Sequence, residues 1–159
     1  MKKTHSILIL IIVISSLSAC MQKENATNIL SPQLIQAESI IYEYPDSALH
    51  ILQNMQLPAP SDKLQNATWA LLMTQAKYKS NVEQSDSLIN IAYNYFMDKE
   101  DAQGKAMVLY YKGVLYDEKY NAEEALHYYL KAAKEIEKNR RLPISLSHRY
   151  RYRNDICLS

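Results

Sequence analysis

The chain has 159 residues, with 18 Lys and Arg against 17 Asp and Glu, two cysteines, two glycines and five prolines. That length supports one domain with a modest core, and so few turn-forming residues, with hardly any strand-like runs between turns, point to helices. Residues 20–139 hold 11 basic and 16 acidic side chains, and residues 140–159 hold five arginines and one aspartate; an acidic body excludes the clustered cationic surface that neutralises nucleic-acid phosphates.

The first 20 residues, MKKTHSILILIIVISSLSAC, place Lys2 and Lys3 before an apolar run from Ile7 to Ile14. The run is short for a membrane span of about 20 residues and suits the apolar region of about 7–15 residues in a secretion signal. Leu17-Ser18-Ala19-Cys20 resembles the lipobox of bacterial lipoproteins, where small residues fit the peptidase site and the cysteine sulfur takes a diacylglycerol. The resemblance implies removal of residues 1–19 as a signal peptide and a lipid on Cys20. It also implies a place on the cell membrane or outer membrane, on the periplasmic or surface side. Each buried CH₂ contributes about 0.8 kcal/mol, so two or three acyl chains anchor far better than one. Cys157 is then left without a partner, which excludes a disulfide framework or a cysteine metal site. Residues 20–31 are polar and read as a flexible tether.

Residues 33–56 predict the first helical pair. Leu34, Ala37, Ile40 and Ile41 precede a break at Tyr44-Pro45-Asp46, and Ala48, Leu49, Leu52 and Met55 follow it. Pro58 and Pro60 close that pair. Residues 62–97 predict a second pair, whose later helix, Asp86 to Met97, carries Leu88, Ala92, Tyr95 and Phe96 on one stripe. Residues 106–138 give the strongest signal. Leu109, Gly113 and Tyr116 recur at helical spacing, as do Ala125, Tyr129, Ala132 and Ile136 after a break at Lys119-Tyr120-Asn121-Ala122. Asn121 is the candidate cap, with Glu123 and Glu124 favourable in the following first turn. Gly113 inside a helix costs about 1 kcal/mol relative to Ala, so it predicts a close helix contact.

This last segment resembles the tetratricopeptide repeat, a helix-turn-helix unit of about 34 residues. Leu109, Gly113, Tyr116, Ala125, Tyr129 and Ala132 stand at the repeat's aromatic, glycine, tyrosine, alanine, phenylalanine and second alanine positions, while Lys112 and Glu137 replace its leucine and proline. Residues 62–97 look like a poorer copy in which Trp69 and Leu72 match and Met73 and Ala76 do not. Trp69 and Leu109 are 40 residues apart, so an insertion is expected, within Asp98–Lys105. The resemblance implies an all-α, right-handed solenoid of about three hairpins over residues 32–138, packed through Trp69, Leu72, Leu109, Gly113, Tyr116, Ala125, Tyr129 and Ala132. Stacking is then the source of stability, because each hairpin leaves an apolar face that a neighbour must cover.

The same resemblance implies a concave face made by the first helix of each pair, exposing Ala70, Thr74, Lys77 and Tyr78 and then Tyr110, Val114 and Asp117. Thr74, Lys77, Tyr78, Tyr110 and Asp117 are the expected peptide contacts. The expected role is a membrane-anchored scaffold that binds proteins or peptides, with no cofactor, metal, nucleic acid or small-molecule substrate. The order AES, YPDSAL, tryptophan helix, SDSL also resembles the sensor ends of Bacteroidetes repeat proteins that continue into a signalling or transcriptional part. A truncated sensor of that kind is the alternative expectation.

No motif for an enzyme emerges. Glu124 and His127 have the spacing of one arm of a di-iron site, but a second Glu-x-x-His and two further carboxylates are missing, so they read as a solvated pair. Glycine at 104 and 113 alone leaves no phosphate loop, and no H-E-x-x-H or G-x-S-x-G occurs. Residues 139–159 break the helical pattern with Pro143, alternating Arg and Tyr, and Cys157, as expected of a truncation or an altered reading frame. Without a proper continuation, the apolar face around Tyr128 and Ile136 is expected to stay open to water.

Overall fold

A computed structural model describes residues 30–140, with side chains through residue 138. The expected signal segment, Cys20, the tether up to residue 29 and the segment from 141 onward lie outside the described residues. Six helices follow in chain order: α1 Pro32–Ile40, α2 Pro45–Asn54, α3 Lys63–Lys79, α4 Asp86–Phe96, α5 Ala102–Glu118 and α6 Ala122–Arg140. The described residues are thus all-helical. None of these helices is long and apolar enough to cross a membrane.

Local chemistry sets the boundaries. Proline opens α1 and α2, where its missing N–H and fixed φ suit the first turn. Asp62 and Asp101 cap α3 and α5, accepting from the Gln65 and Gly104 N–H groups at 3.2 and 2.9 Å. Asn121 caps α6 by accepting from Glu124 N–H at 3.2 Å; such caps are worth about 1 kcal/mol each. Gln65 also joins two elements: its Nε2 donates to Asp62 at 2.6 Å and its Oε1 accepts from Ser31 N–H at 3.0 Å. Leu30 packs against the first core cluster, so the folded domain begins before Pro32.

Helices α3 and α5 end alike. Val82 N–H returns to Lys77 C=O and Asn81 N–H to Tyr78 C=O, while Asn121 N–H returns to Tyr116 C=O and Tyr120 N–H to Asp117 C=O. Both are Schellman ends, with Asn81 (φ 52°) and Tyr120 (φ 58°) in the left-handed region. Asparagine tolerates that conformation; tyrosine does so at a cost of roughly 1–2 kcal/mol.

The core forms two clusters. One joins α1 and α2 to Leu72, Met73 and Ala76 of α3. The other joins Ala67, Ala70 and Leu71 of α3 to Ile89, Ala92 and Phe96 of α4 and to Val108, Tyr111, Val114 and Leu115 of α5. Trp69 and Leu88 pack against both. Each helix packs on its neighbours in the chain, and α3 also touches α1 and α5. The C-terminal helix α6 packs on α5.

The expected insertion segment, Asp98–Lys105, is split between the α4–α5 loop and the start of α5. Asp101 caps α5 and Ala102–Lys105 belong to its first turns, whereas six residues, 80–85, join α3 to α4 and three, 119–121, join α5 to α6. The loop 80–85 is three residues longer than 119–121, which accounts for about half of the extra spacing, and residues 97–101 join α4 to α5. Ile89, which had no place in the predicted α4 stripe, is fully buried there.

Two stability predictions follow from this geometry. A Cβ on Gly113 would lie 2.7 Å from the Tyr129 ring and 3.1 Å from the Ala125 carbonyl. Gly113→Ala should therefore lose about 1–2 kcal/mol in urea unfolding despite its better helix propensity, and the loss should shrink in a Tyr129→Ala background. Tyr120 is 97% exposed, so Tyr120→Gly should relieve backbone strain without loss of packing and raise stability by roughly 1 kcal/mol.

Candidate functional site

Tyrosines gather where α3, α5 and α6 meet. Tyr78 stands at the end of α3 with its ring 6.0 Å from that of Tyr111, edge to face. On α5, Tyr111 is 5.1 Å from Tyr110, and Tyr110 reaches Tyr129 of α6 at 5.5 Å. Such ring pairs contribute about 0.5–1.5 kcal/mol beyond area burial. Tyr78 is 38% and Tyr110 42% exposed, while Tyr111 is buried. Gly113 makes the group possible, since the Tyr129 ring occupies the space its missing side chain leaves. Asp117 lies two turns beyond Tyr110, on the same face of α5.

The phenols report this environment. Burial, then the neighbouring Tyr42, Tyr110 and Tyr78, pushes Tyr111 far above the ordinary tyrosine range. Tyr129 is raised by burial first, then by Asp117, Tyr110, Tyr78 and Glu118. Tyr128, in a separate group, is raised by burial and then mainly by Tyr116, with which it stacks at 5.3 Å and 8°.

The expected contact residues divide. Tyr78, Tyr110 and Asp117 are exposed and act on or pack near Tyr129, whereas Lys77 is half-buried on α3 with no side-chain hydrogen bond, ion pair or ring contact to that group. Thr74 is 1% exposed and gives its hydroxyl to the Ala70 carbonyl at 2.9 Å; Ala70 and Val114 are buried too. The physical reason is that α3 is touched by α1, α2, α4 and α5 together, so its middle turns have no open side. Thr74 is a core residue in this fold, and on α3 the accessible expected contact is Tyr78, at the helix end. Sequence reasoning overlooked Tyr111 and read Tyr129 as packing; the doubled Tyr110-Tyr111 was the signal for the first.

The remaining surface is less organised. Glu124 and His127 are exposed, with His127 edge-on to Tyr128 at 5.5 Å. Among the described residues no group of three or more His, Cys, Asp or Glu could hold a metal ion. A cleft of about 320 Å³ is lined by Lys63, Asn66, Ile91, Asn94, Tyr95 and Lys99, away from the tyrosine group. Its side chains are exposed or half-buried, so it offers no enclosed chamber for a substrate.

Comparison of the chain with protein-family models, with curated proteins and with solved structures gives no match. Any function must be argued from the residues themselves.

The raised phenols carry a pH dependence. A native pKa above the unfolded value means that the folded state holds the proton more tightly. The stability is then full below the ordinary tyrosine value of about 10 and is lost as pH climbs through the raised native values. Near-ultraviolet absorbance should show Tyr111, Tyr128 and Tyr129 ionising last, and urea midpoints should fall steadily above about pH 10. Tyr111→Phe should flatten that fall.

Proposed function

We propose that this chain is a membrane-anchored helical repeat protein of tetratricopeptide type that binds other proteins or peptides in a bacterial cell envelope. The observation that carries the binding role is the convergence of exposed Tyr78 and Tyr110 with Tyr129 and Asp117. Amphipathic rings set in a rigid helical frame lose little side-chain entropy on contact, which is why tyrosine is effective at interfaces.

The repeat reading draws on three features. Helices pack in chain order, α3 also meets α1 and α5 as first helices of adjacent pairs, and Gly113 admits the Tyr129 ring at the α5–α6 crossing. The anchor reading draws on Leu17-Ser18-Ala19-Cys20, with Cys20 as the lipid-bearing residue. In this role the protein has no chemistry of its own and needs no cofactor.

A second reading, the sensor portion of a longer repeat regulator, is favoured by α6. Leu126, Leu130 and Ile136 are exposed on it, as expected of a helix that a further hairpin would cover.

Two measurements test the scaffold. A photo-crosslinking residue at Tyr110 should yield a discrete adduct in living cells, and the same residue at exposed Tyr44, remote in sequence, should not. A palmitate analogue should label the wild-type chain and leave Cys20→Ala unlabelled. Equal crosslinking at both positions would remove the binding face, and label retained in Cys20→Ala would remove the anchor.

A further inference from the structure

Several of the described tyrosines lie under lysines, and Tyr44, Tyr116, Tyr120 and the group at α3, α5 and α6 do not. Lys79 lies 4.4 Å over the ring of Tyr42, and Lys99 5.0 Å over Tyr95. Lys112 lies 4.8 Å from Tyr93 and 5.6 Å from Tyr128, and Lys131 5.5 Å from Tyr128. Among the described residues no lysine or arginine lies over Tyr78, Tyr110, Tyr111 or Tyr129. This group also has carboxylates near it: Asp117 lies two turns beyond Tyr110 on the same face of α5, and Asp117 and Glu118 both act on the Tyr129 phenol. Glu118 accepts a long contact from Gln84, at 3.3 and 3.4 Å. Asp117 forms no ion pair among the described residues; of the two lysines that flank Tyr78 in the chain, Lys77 forms none and Lys79 lies over Tyr42.

Ring faces carry negative potential, and a carboxylate at their edge deepens it. A group of rings 5.1–6.0 Å apart with Asp117 beside it is therefore complementary to a cation that supplies both a flat surface and paired donors. Guanidinium meets both needs: it stacks on aromatic faces and donates two parallel hydrogen bonds to one carboxylate. An ammonium is compact and strongly hydrated, and meets only the charge requirement. We infer that Tyr78, Tyr110, Tyr129 and Asp117 form a recognition site for an arginine side chain of a partner protein or peptide. This deepens the scaffold reading and rests on it.

The test uses the full chain, in detergent, on immobilised peptide arrays of random sequence with one fixed central residue. That residue is Arg in one array and citrulline, Lys or Leu in the matched ones. Citrulline keeps the shape of arginine and removes its charge. Retention on the Arg array should exceed that on the citrulline array at least tenfold, and Lys should fall between. Asp117→Asn should bring the Arg-to-citrulline ratio close to one, Tyr110→Ala should lower it severalfold, and Tyr110→Phe should preserve it. Helicity of each variant, followed by circular dichroism, guards against loss of fold.

Equal retention on the Arg and citrulline arrays, or a preference unchanged in Asp117→Asn, would overturn arginine recognition. If crosslinking at position 110 still traps a partner in that case, the scaffold reading survives alone. Absence of both array retention and a crosslink would overturn the two together.

Discussion

Burial of α3 on every side is the constraint on which the rest of the molecule depends. Except for Trp69, which is half-buried, each residue from Ala67 to Ala76 is buried, and α1, α2, α4 and α5 all touch the helix. Its small and apolar residues meet both core clusters, and Trp69 packs against the two at once. The indole N–H donates to the Leu52 carbonyl at 3.1 Å, close to the C-terminus of α2, where the last carbonyls have no partner within the helix. One side chain thus packs across two clusters and ends a helix. Both core clusters draw on more than two helices, so neither can form from one helical pair alone.

The α5–α6 hairpin stands differently. It contributes Val108, Tyr111, Val114 and Leu115 to the core through α5, while α6 buries chiefly Ala125 and Ala132. Two small residues and Gly113 bring the backbones close enough for Tyr129 to lie across the crossing, and that ring then meets Tyr110. The packing device and the candidate site are therefore the same contact. Lys119 adds an ion pair with Asp86 of α4 at 2.7 Å, but both partners are more than half exposed, and such pairs contribute about 0–1 kcal/mol. The hairpin is held mainly by van der Waals contact.

Much of the fold was legible from local signals. Pro45, Asp46, Asn121 and the acidic first turn of α6 gave the turns because capping chemistry acts over three or four residues. Gly113 announced a close contact because its cost has no local compensation. What local patterning could not show was how completely α3 is enclosed. A helix buried all round lacks a one-sided stripe, so Ala70 and Thr74 gave no sign that they lie inside. The split of the loop lengths was equally hidden, since the spacing from Trp69 to Leu109 does not say how residues divide between the loops 80–85 and 97–101. The candidate site joins expected and unexpected residues. Tyr78, Tyr110 and Asp117 were found by their place on the first helices, whereas Tyr111 and Tyr129 joined them only through contacts between helices.

Composition also explains why the surface of this fold is so rich in tyrosine. The layer is thin, and many ring positions have one edge in the core and the other in water; phenylalanine would leave an apolar edge exposed there, while tyrosine ends in a hydroxyl. Lysine ammonium groups then lie over several of these rings, and that of Lys112 also donates to Asn90 Oδ1 at 2.8 Å. Each such contact covers an aromatic face that could otherwise bind something else. The rings at the α3–α5–α6 junction lack this cover and sit beside Asp117. The arginine site proposed there uses no special loop or cavity, because its rings have no lysine or arginine over them among the described residues, whereas Tyr128, which Glu124 acts on, lies under Lys112 and Lys131.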